Sequence, residues 1–134
     1  MKLSALKRDH RLALGAWVND IPDMPGLRLK VESIDGFTAR KAQASAVRDI
    51  PLGRRVAALT PEDADLVETE VLLAILHGWD GLDEDDGSAI AFSPTKAREL
   101  LTNPDFEPLR SAIRMAAAIV KEVGKLGTED AVKN

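Results

Sequence analysis

The sequence contains no cysteine, no tyrosine and few aromatic residues of any kind. Its 134 residues include 2 histidines, 2 tryptophans and 3 phenylalanines, and aromatics make up 4% of the chain. The missing cysteine excludes disulfides, thiolate nucleophiles and cysteine-ligated zinc, and it is typical of a reducing compartment. The scarcity of aromatics argues against a stacking surface for nucleic-acid bases, because such surfaces are built from aromatic side chains.

Long apolar runs are also missing. No stretch approaches the roughly 20 apolar residues of a transmembrane helix, and no apolar signal segment follows the charged residues 1–7. We therefore expect a cytoplasmic protein with no membrane partner. A length of 134 residues favours one domain, and a composition of 45% hydrophobic and 30% charged residues is that of a globular protein.

Charge is distributed unevenly along a chain whose net charge is −4. Residues 1–55 hold 11 Lys and Arg against 6 Asp and Glu, a balance of +5, whereas residues 56–134 hold 7 against 16, a balance of −9. Solvated surfaces are the favoured explanation, and head-to-tail association between copies is the other. The overall acidity opposes the approach of phosphates, so we expect no nucleic-acid partner.

The first half of the chain predicts a β-hairpin followed by a helix. Residues 3–14 favour a short helix or arm, and the segment around Trp17 is expected to pair with the alternating residues 27–31 across proline and glycine turns. The alanine-rich residues 37–49 predict a helix with a basic exposed side, which ends before Pro51.

The second half predicts three helices. Thr60 and Pro61 begin one that runs to about His77, with an apolar second half that should be the most buried helical segment. His77 would then complement the dipole at the helix end, a structural role favoured over catalysis. Another helix begins at Ser93 and ends near Asn103.

The final helix, from 108 onward, carries an apolar stripe that could dock on the protein's own core, which is favoured, or on a partner. The stripe consists of Leu109, Ile113, Ala116, Val120 and Val123. Charged residues are expected on the exposed sides of these helices, namely Glu62, Asp63, Asp65, Glu68, Glu70, Arg110, Arg114 and Lys121.

Together these elements predict an α+β fold, in which a small N-terminal β-hairpin and a short second hairpin pack on about four α-helices. Residues 1–123 are expected to form a single domain and residues 124–134 a flexible C-terminal tail.

The second hairpin is expected within residues 77–94, where an acid-rich turn lies between Trp79 and Phe92. We expect Trp79, Leu82 and Phe92 to fasten it between two helices. The acids from Asp80 to Gly87 also raise the alternative of a small acidic ligand- or calcium-binding module. The turn lacks the first and last ligands of an EF-hand loop, however, so a solvated turn is favoured.

Residue patterns for catalysis are missing as well. The only histidines are His10 and His77, and no G-x-S-x-G, H-E-x-x-H or phosphate-binding glycine loop occurs. We expect no enzyme, no cofactor and no metal site.

The order of motifs resembles the tail assembly chaperones of long-tailed phages and prophages over residues 3 to about 120. The most specific part is Trp79-Asp80-Gly81-Leu82, followed by the acid and glycine turn, Phe92 and Ser93-Pro94. The sequence departs from the family pattern at Lys96, where a glutamate is frequent, and in a short 50–56 segment.

The resemblance implies a non-catalytic chaperone in the bacterial host cytoplasm that is absent from the mature virion. Such a protein binds the tape measure protein and keeps it soluble until the tail tube protein polymerises around it, and several copies are expected to associate as a homo-oligomer. The residues expected to serve as partner contacts or as the structural signature are Trp79, Asp80, Gly81, Leu82, Phe92, Leu109, Ile113 and Val120.

Overall fold

The computed structural model describes residues 1–6 and 15–126, which form five α-helices and a three-stranded antiparallel sheet. The predicted α+β class is confirmed. The elements in order are a 3-10 turn (Leu3–Leu6), β1 (Ala16–Val18), β2 (Arg28–Val31), α1 (Phe37–Asp49), α2 (Leu52–Arg55), α3 (Pro61–Ile75), β3 (Leu76–Asp80), α4 (Pro94–Leu101), a 3-10 turn (Pro104–Phe106) and α5 (Glu107–Leu126).

The arm predicted at the N-terminus and the tail predicted at the C-terminus are both only partly covered by the described residues. The helix or arm expected at 3–14 has a 3-10 turn in its first residues, and its residues 7–14 lie outside the described residues. At the other end α5 continues to Leu126, into the tail predicted from 124, and residues 127–134 lie outside the described residues.

The predicted N-terminal hairpin is present and forms two thirds of the sheet. Strand β2 lies at the centre, antiparallel to β1 on one side and to β3 on the other. Leu29 of β2 pairs with Val18 of β1 and with Trp79 of β3, so one row of apolar side chains crosses the sheet. All three are buried, which makes this the inner face.

An extended piece was expected around Trp79 as part of the second hairpin, but its pairing with β2 as a third strand was not, and the prediction that the preceding helix reaches His77 is wrong. Helix α3 ends at Ile75, and Leu76 is extended, with φ −83° and ψ 118°. The apolar run 71–76 continues without a break across this boundary, and an apolar run alone does not distinguish a buried helix from a buried strand. Gly78, a poor helix former, lies just beyond the boundary.

The core lies between the inner face of the sheet and the helices. Helix α5 packs against β1 and β2, while α3 packs against α1, α4 and α5. Fully buried side chains include Leu29, Leu72, Ile75, Leu101 and Ile113. The apolar stripe of α5 faces this core. This agrees with the favoured expectation that the stripe docks on the protein itself and not on a partner.

The helix starts agree with the sequence. The Thr60 hydroxyl accepts a hydrogen bond from the Asp63 N–H at 3.1 Å, and the Ser93 hydroxyl accepts one from the Lys96 N–H at 3.0 Å. Each cap satisfies a backbone donor that the first helical turn leaves unpaired.

The expectation that every charged residue of α3 and α5 is exposed is wrong at two positions. The Arg110 side chain is only 7% exposed, and it pairs with Asp65 at 2.8 Å and Glu68 at 3.1 Å. Asp63 is buried and pairs with Arg54 at 3.2 Å. An arginine can bury its long stem against apolar surface while its guanidinium meets carboxylates, which sequence spacing does not register.

Candidate functional site

Trp79 anchors the segment that the sequence singled out. Its side chain is 6% exposed, and its indole N–H donates to the Ile90 carbonyl oxygen at 2.7 Å. Its ring lies edge-on to Phe92, with 4.8 Å between the centroids and 78° between the planes. Trp79 therefore fixes the returning chain before α4 begins at Pro94.

Asp80 and Gly81 join this segment to the N-terminal hairpin. The Asp80 carboxylate lies 3.5 Å from the Arg28 guanidinium on β2. Gly81 has a φ of +79°, and its α-carbon lies so close to Gly26 that an added Cβ would collide with the Gly26 carbonyl group. The Trp-Asp-Gly-Leu motif is thus a buried ring, an ion pair and a close backbone crossing, with Leu82 partly buried after them.

The acid turn that follows is a small hairpin, reduced to one isolated bridge between Asp83 and Ala89. The Ile90 N–H donates to the Leu82 carbonyl at 2.8 Å, which continues the pairing. Asp86 accepts hydrogen bonds from the hydroxyl and the backbone N–H of Ser88, and these hold its pKa below the ordinary value.

Within residues 1–6 and 15–126, no group of three or more histidine, aspartate or glutamate side chains is arranged to hold a metal ion.

The α5 residues of the expected site lie in the core. Leu109, Ile113 and Val120 are buried against the protein itself, so they present no surface to a partner in this conformation. These residues were expected to serve either as partner contacts or as part of the structural signature, and their burial favours the structural role.

The described part of the chain also forms a groove that the sequence did not single out. It has a volume of about 590 Å³ and lies between α1 and α4, with α3 beneath. We call it the α1–α4 groove. Its apolar lining comes chiefly from Ala42, Ala46, Leu66, Leu73, Phe92 and Ala97.

A signal for this groove exists in the sequence of α3. Leu66 and Leu73 stand two turns apart on one face, and that face is not covered by another helix: Leu66 is 51% exposed and Leu73 is half-buried. The apolar run of α3 is therefore not buried all round, because part of it faces the groove.

An ion pair crosses the groove from α3 to α4. The Arg98 guanidinium donates to both carboxylate oxygens of Glu70, at 2.7 and 2.9 Å. These hydrogen bonds lower the pKa of Glu70 against the opposing effect of burial, and they raise the pKa of Arg98. The pair ties the floor of the groove to one wall.

We expect Glu70→Gln to make the free energy of unfolding less dependent on pH. A carboxyl whose pKa is depressed by folding stabilises the protein above its unfolded pKa, ordinarily 4.5, and this contribution is lost as the pH falls through the lower folded value. Because Glu70 is partly exposed, the difference should stay below about 1 kcal/mol. Urea unfolding of the wild type and the variant at pH 7 and pH 3 measures it.

Glu84→Gln is the matched control for this comparison, since Glu84 is an exposed acid of the turn. An equal change in both variants would contradict the role given to the Glu70–Arg98 pair.

His77 lies at the end of the groove, in β3 and not at a helix terminus, so its expected role at the helix dipole is wrong. Its Nε2 lies 2.6 Å from a carboxylate oxygen of Glu32, whose other oxygen accepts a hydrogen bond from the Thr38 hydroxyl at 2.7 Å. The β-bulge between Lys30 and Val31 leaves His77 without a strand partner and turns it toward Glu32. His10, the other histidine, lies outside the described residues.

A tryptophan and an arginine cover part of the outer face of the sheet. Trp17, 38% exposed, extends its indole over Gly78, and the Arg28 guanidinium lies 4.8 Å from its ring centroid. Arg28 also donates to the Asn19 side chain at 2.7 Å. The arrangement is a packed cation–π contact on the protein's own surface.

None of the helices in the described part of the chain combines the length and the apolarity that crossing a lipid bilayer requires.

Comparison with known proteins finds one family. Neither the curated proteins nor the solved structures give a significant match. The model of the YdaY prophage protein family matches residues 34–134, a span that includes the α1–α4 groove and the Trp79 hairpin and lies beyond β1 and β2. Since the match covers well over half of the sequence, the chain belongs to the YdaY prophage protein family.

Proposed function

We propose that this prophage protein is a non-catalytic tail assembly chaperone. It binds the tape measure protein in the bacterial host cytoplasm and keeps it soluble until the tail tube protein polymerises around it. It leaves before the virion is complete.

One observation carries the proposal. The residues that resemble tail assembly chaperones form a single unit in the fold: Trp79 packs on Phe92, Asp80 pairs with Arg28, and Gly81 crosses Gly26. This unit also places Phe92 in the lining of the α1–α4 groove. The segment that carries the resemblance thus contributes Phe92 to the apolar lining of the groove, and a prophage origin fits the same function.

Coating a long partner requires many copies, and the surface charges support association between them. Arg40, Lys41 and Arg48 lie exposed on α1 without an ion pair to any described residue, and the acids of the 83–86 turn are exposed as well. We therefore propose a homo-oligomer. Sedimentation should detect it at low salt and high protein concentration, and a monomer under those conditions would contradict it.

Co-expression tests the chaperone directly. The tape measure protein encoded nearby should move from the insoluble to the soluble fraction when this chain is present, and the two should co-purify. An unrelated aggregation-prone helical protein, expressed in the same way, is the control. If the tape measure protein stays insoluble and no complex forms, the proposed function is wrong.

A further inference from the structure

We propose that the α1–α4 groove binds an amphipathic α-helix of the partner, whose apolar stripe is bordered by lysine or arginine on the side that faces α1. This inference rests on the proposed function, because it identifies the helix as a segment of the tape measure protein. It adds the site and the chemistry by which that segment is recognised.

The groove has the lining that a helix needs. Leu66 and Leu73 form its floor along two turns of α3, which correspond to a length of about 11 Å. Ala42, Ala46 and Ala97 form much of its walls, and small side chains allow a helix to approach within about 8 to 10 Å between axes. Leu66 is 51% exposed, so it is available to contact an incoming apolar stripe.

A helix fits this lining better than an extended segment does. Most of the lining is contributed by side chains of α1, α3 and α4, whose backbone hydrogen bonds are already used within the helices. An extended segment would find few backbone partners there, whereas side-chain ridges of a helix can fit between those of the groove.

The charges at the edges of the groove determine which flanking side chains the bound helix should carry. On the α4 side Arg98 is neutralised by both oxygens of Glu70. On the α1 side Asp49 lines the groove, is exposed and forms no ion pair with any described residue. Arg48, its neighbour, is exposed but does not line the groove. Among the residues that line the groove, the Asp49 carboxylate is therefore the one charge without a partner in the described chain, and it attracts a cation on the partner and repels an acid.

Three synthetic peptides test the proposal. Two share one leucine stripe at helical spacing and differ only in flanking Lys or Glu, while the third scrambles the Lys peptide so that its stripe is lost. Calorimetric titration should give a Kd for the Lys peptide about tenfold lower than for the Glu peptide, and no binding of the scrambled peptide.

Protein variants place the binding in the groove. Leu66→Gln should weaken binding of the Lys peptide about tenfold or more, because it removes the exposed apolar floor. Val56→Gln is the matched control: Val56 is 80% exposed, lies outside the groove and should change nothing. Asp49→Lys should reverse the preference toward the Glu peptide. Both Leu66 and Asp49 are exposed, so circular dichroism should show native folding for every variant.

Two outcomes overturn the inference: equal binding of the scrambled peptide, and a Kd unaffected by Leu66→Gln. The tape measure protein separates the two proposals. If it is solubilised equally by the wild type and by Leu66→Gln, the groove is not its site and only the inference fails. If the Lys peptide binds the groove while the tape measure protein does not bind at all, the proposed function fails.

Discussion

Replacing Gly81 with alanine should lower the free energy of unfolding by about 3 kcal/mol or more and the melting temperature by about 10 °C. Gly81 has a φ of +79°, in a region that side chains with a Cβ rarely adopt. A Cβ there would lie 2.9 Å from the carbonyl carbon of Gly26 and closer still to its oxygen. Both obstacles are backbone atoms, so one of the two chain segments would have to move.

Gly87→Ala separates the cost of the positive φ from the cost of the collision with the Gly26 backbone. Gly87 has a φ of +90°, yet nothing lies within 4 Å of the position that its Cβ would occupy. That variant therefore carries only the conformational cost, about 1 kcal/mol. Thermal and urea unfolding of both variants measures the difference. Equal losses would show that the crossing with Gly26 contributes nothing, and that the motif needs Gly81 for its backbone angle alone.

Local signals in the sequence were sufficient for several elements of this fold. Thr60 and Ser93 marked two helix starts, alternation marked β2, and alanine content marked the helix of residues 37–49. In each case the determining interaction is within a few residues along the chain, either a cap or a face pattern. The stripe of α5 was recognised because its spacing alone specifies one buried face.

The features that were missed depend on partners far away in sequence. Strand β3 pairs with Leu29 and Lys30 of β2, and this pairing keeps it extended although its first residue, Leu76, continues the apolar run of α3. Arg110 is buried because Asp65 and Glu68, more than forty residues earlier, converge on it. A contact of this kind becomes visible only when the packing of two helices is known.

One part of the candidate site could be predicted from local sequence, and the other part could not. The Trp79 to Phe92 segment was recognisable because its residues are contiguous. The α1–α4 groove draws on three helices, a strand and a loop, and its apolar lining is mostly ordinary alanines and leucines. The signal in the sequence is Leu66, an apolar residue on the charged half of α3, which lies two turns before Leu73 on the same face of the helix.

Replacing Trp79 with alanine should reduce the free energy of unfolding by about 3 to 5 kcal/mol. The change removes a large buried ring, the edge contact to Phe92 and the donor to the Ile90 carbonyl. Because the ring also holds the strand β3 side of the hairpin to the start of α4, we expect the loss to appear as a lower urea midpoint for the whole domain. Far-ultraviolet circular dichroism and tryptophan fluorescence should report it together.

Two further variants decide which part of Trp79 matters. Trp79→Phe keeps an aromatic ring against Phe92 but leaves the Ile90 carbonyl without its donor, so it should cost about 1 to 3 kcal/mol. Trp17→Ala removes the partly exposed tryptophan of the outer face and should cost about 1 kcal/mol. If Trp79→Ala melted like the wild type and lost only tape measure binding, Trp79 would be a partner contact and its burial in the hairpin would be wrong. Because the ring is 6% exposed, we expect folding and binding to be lost together.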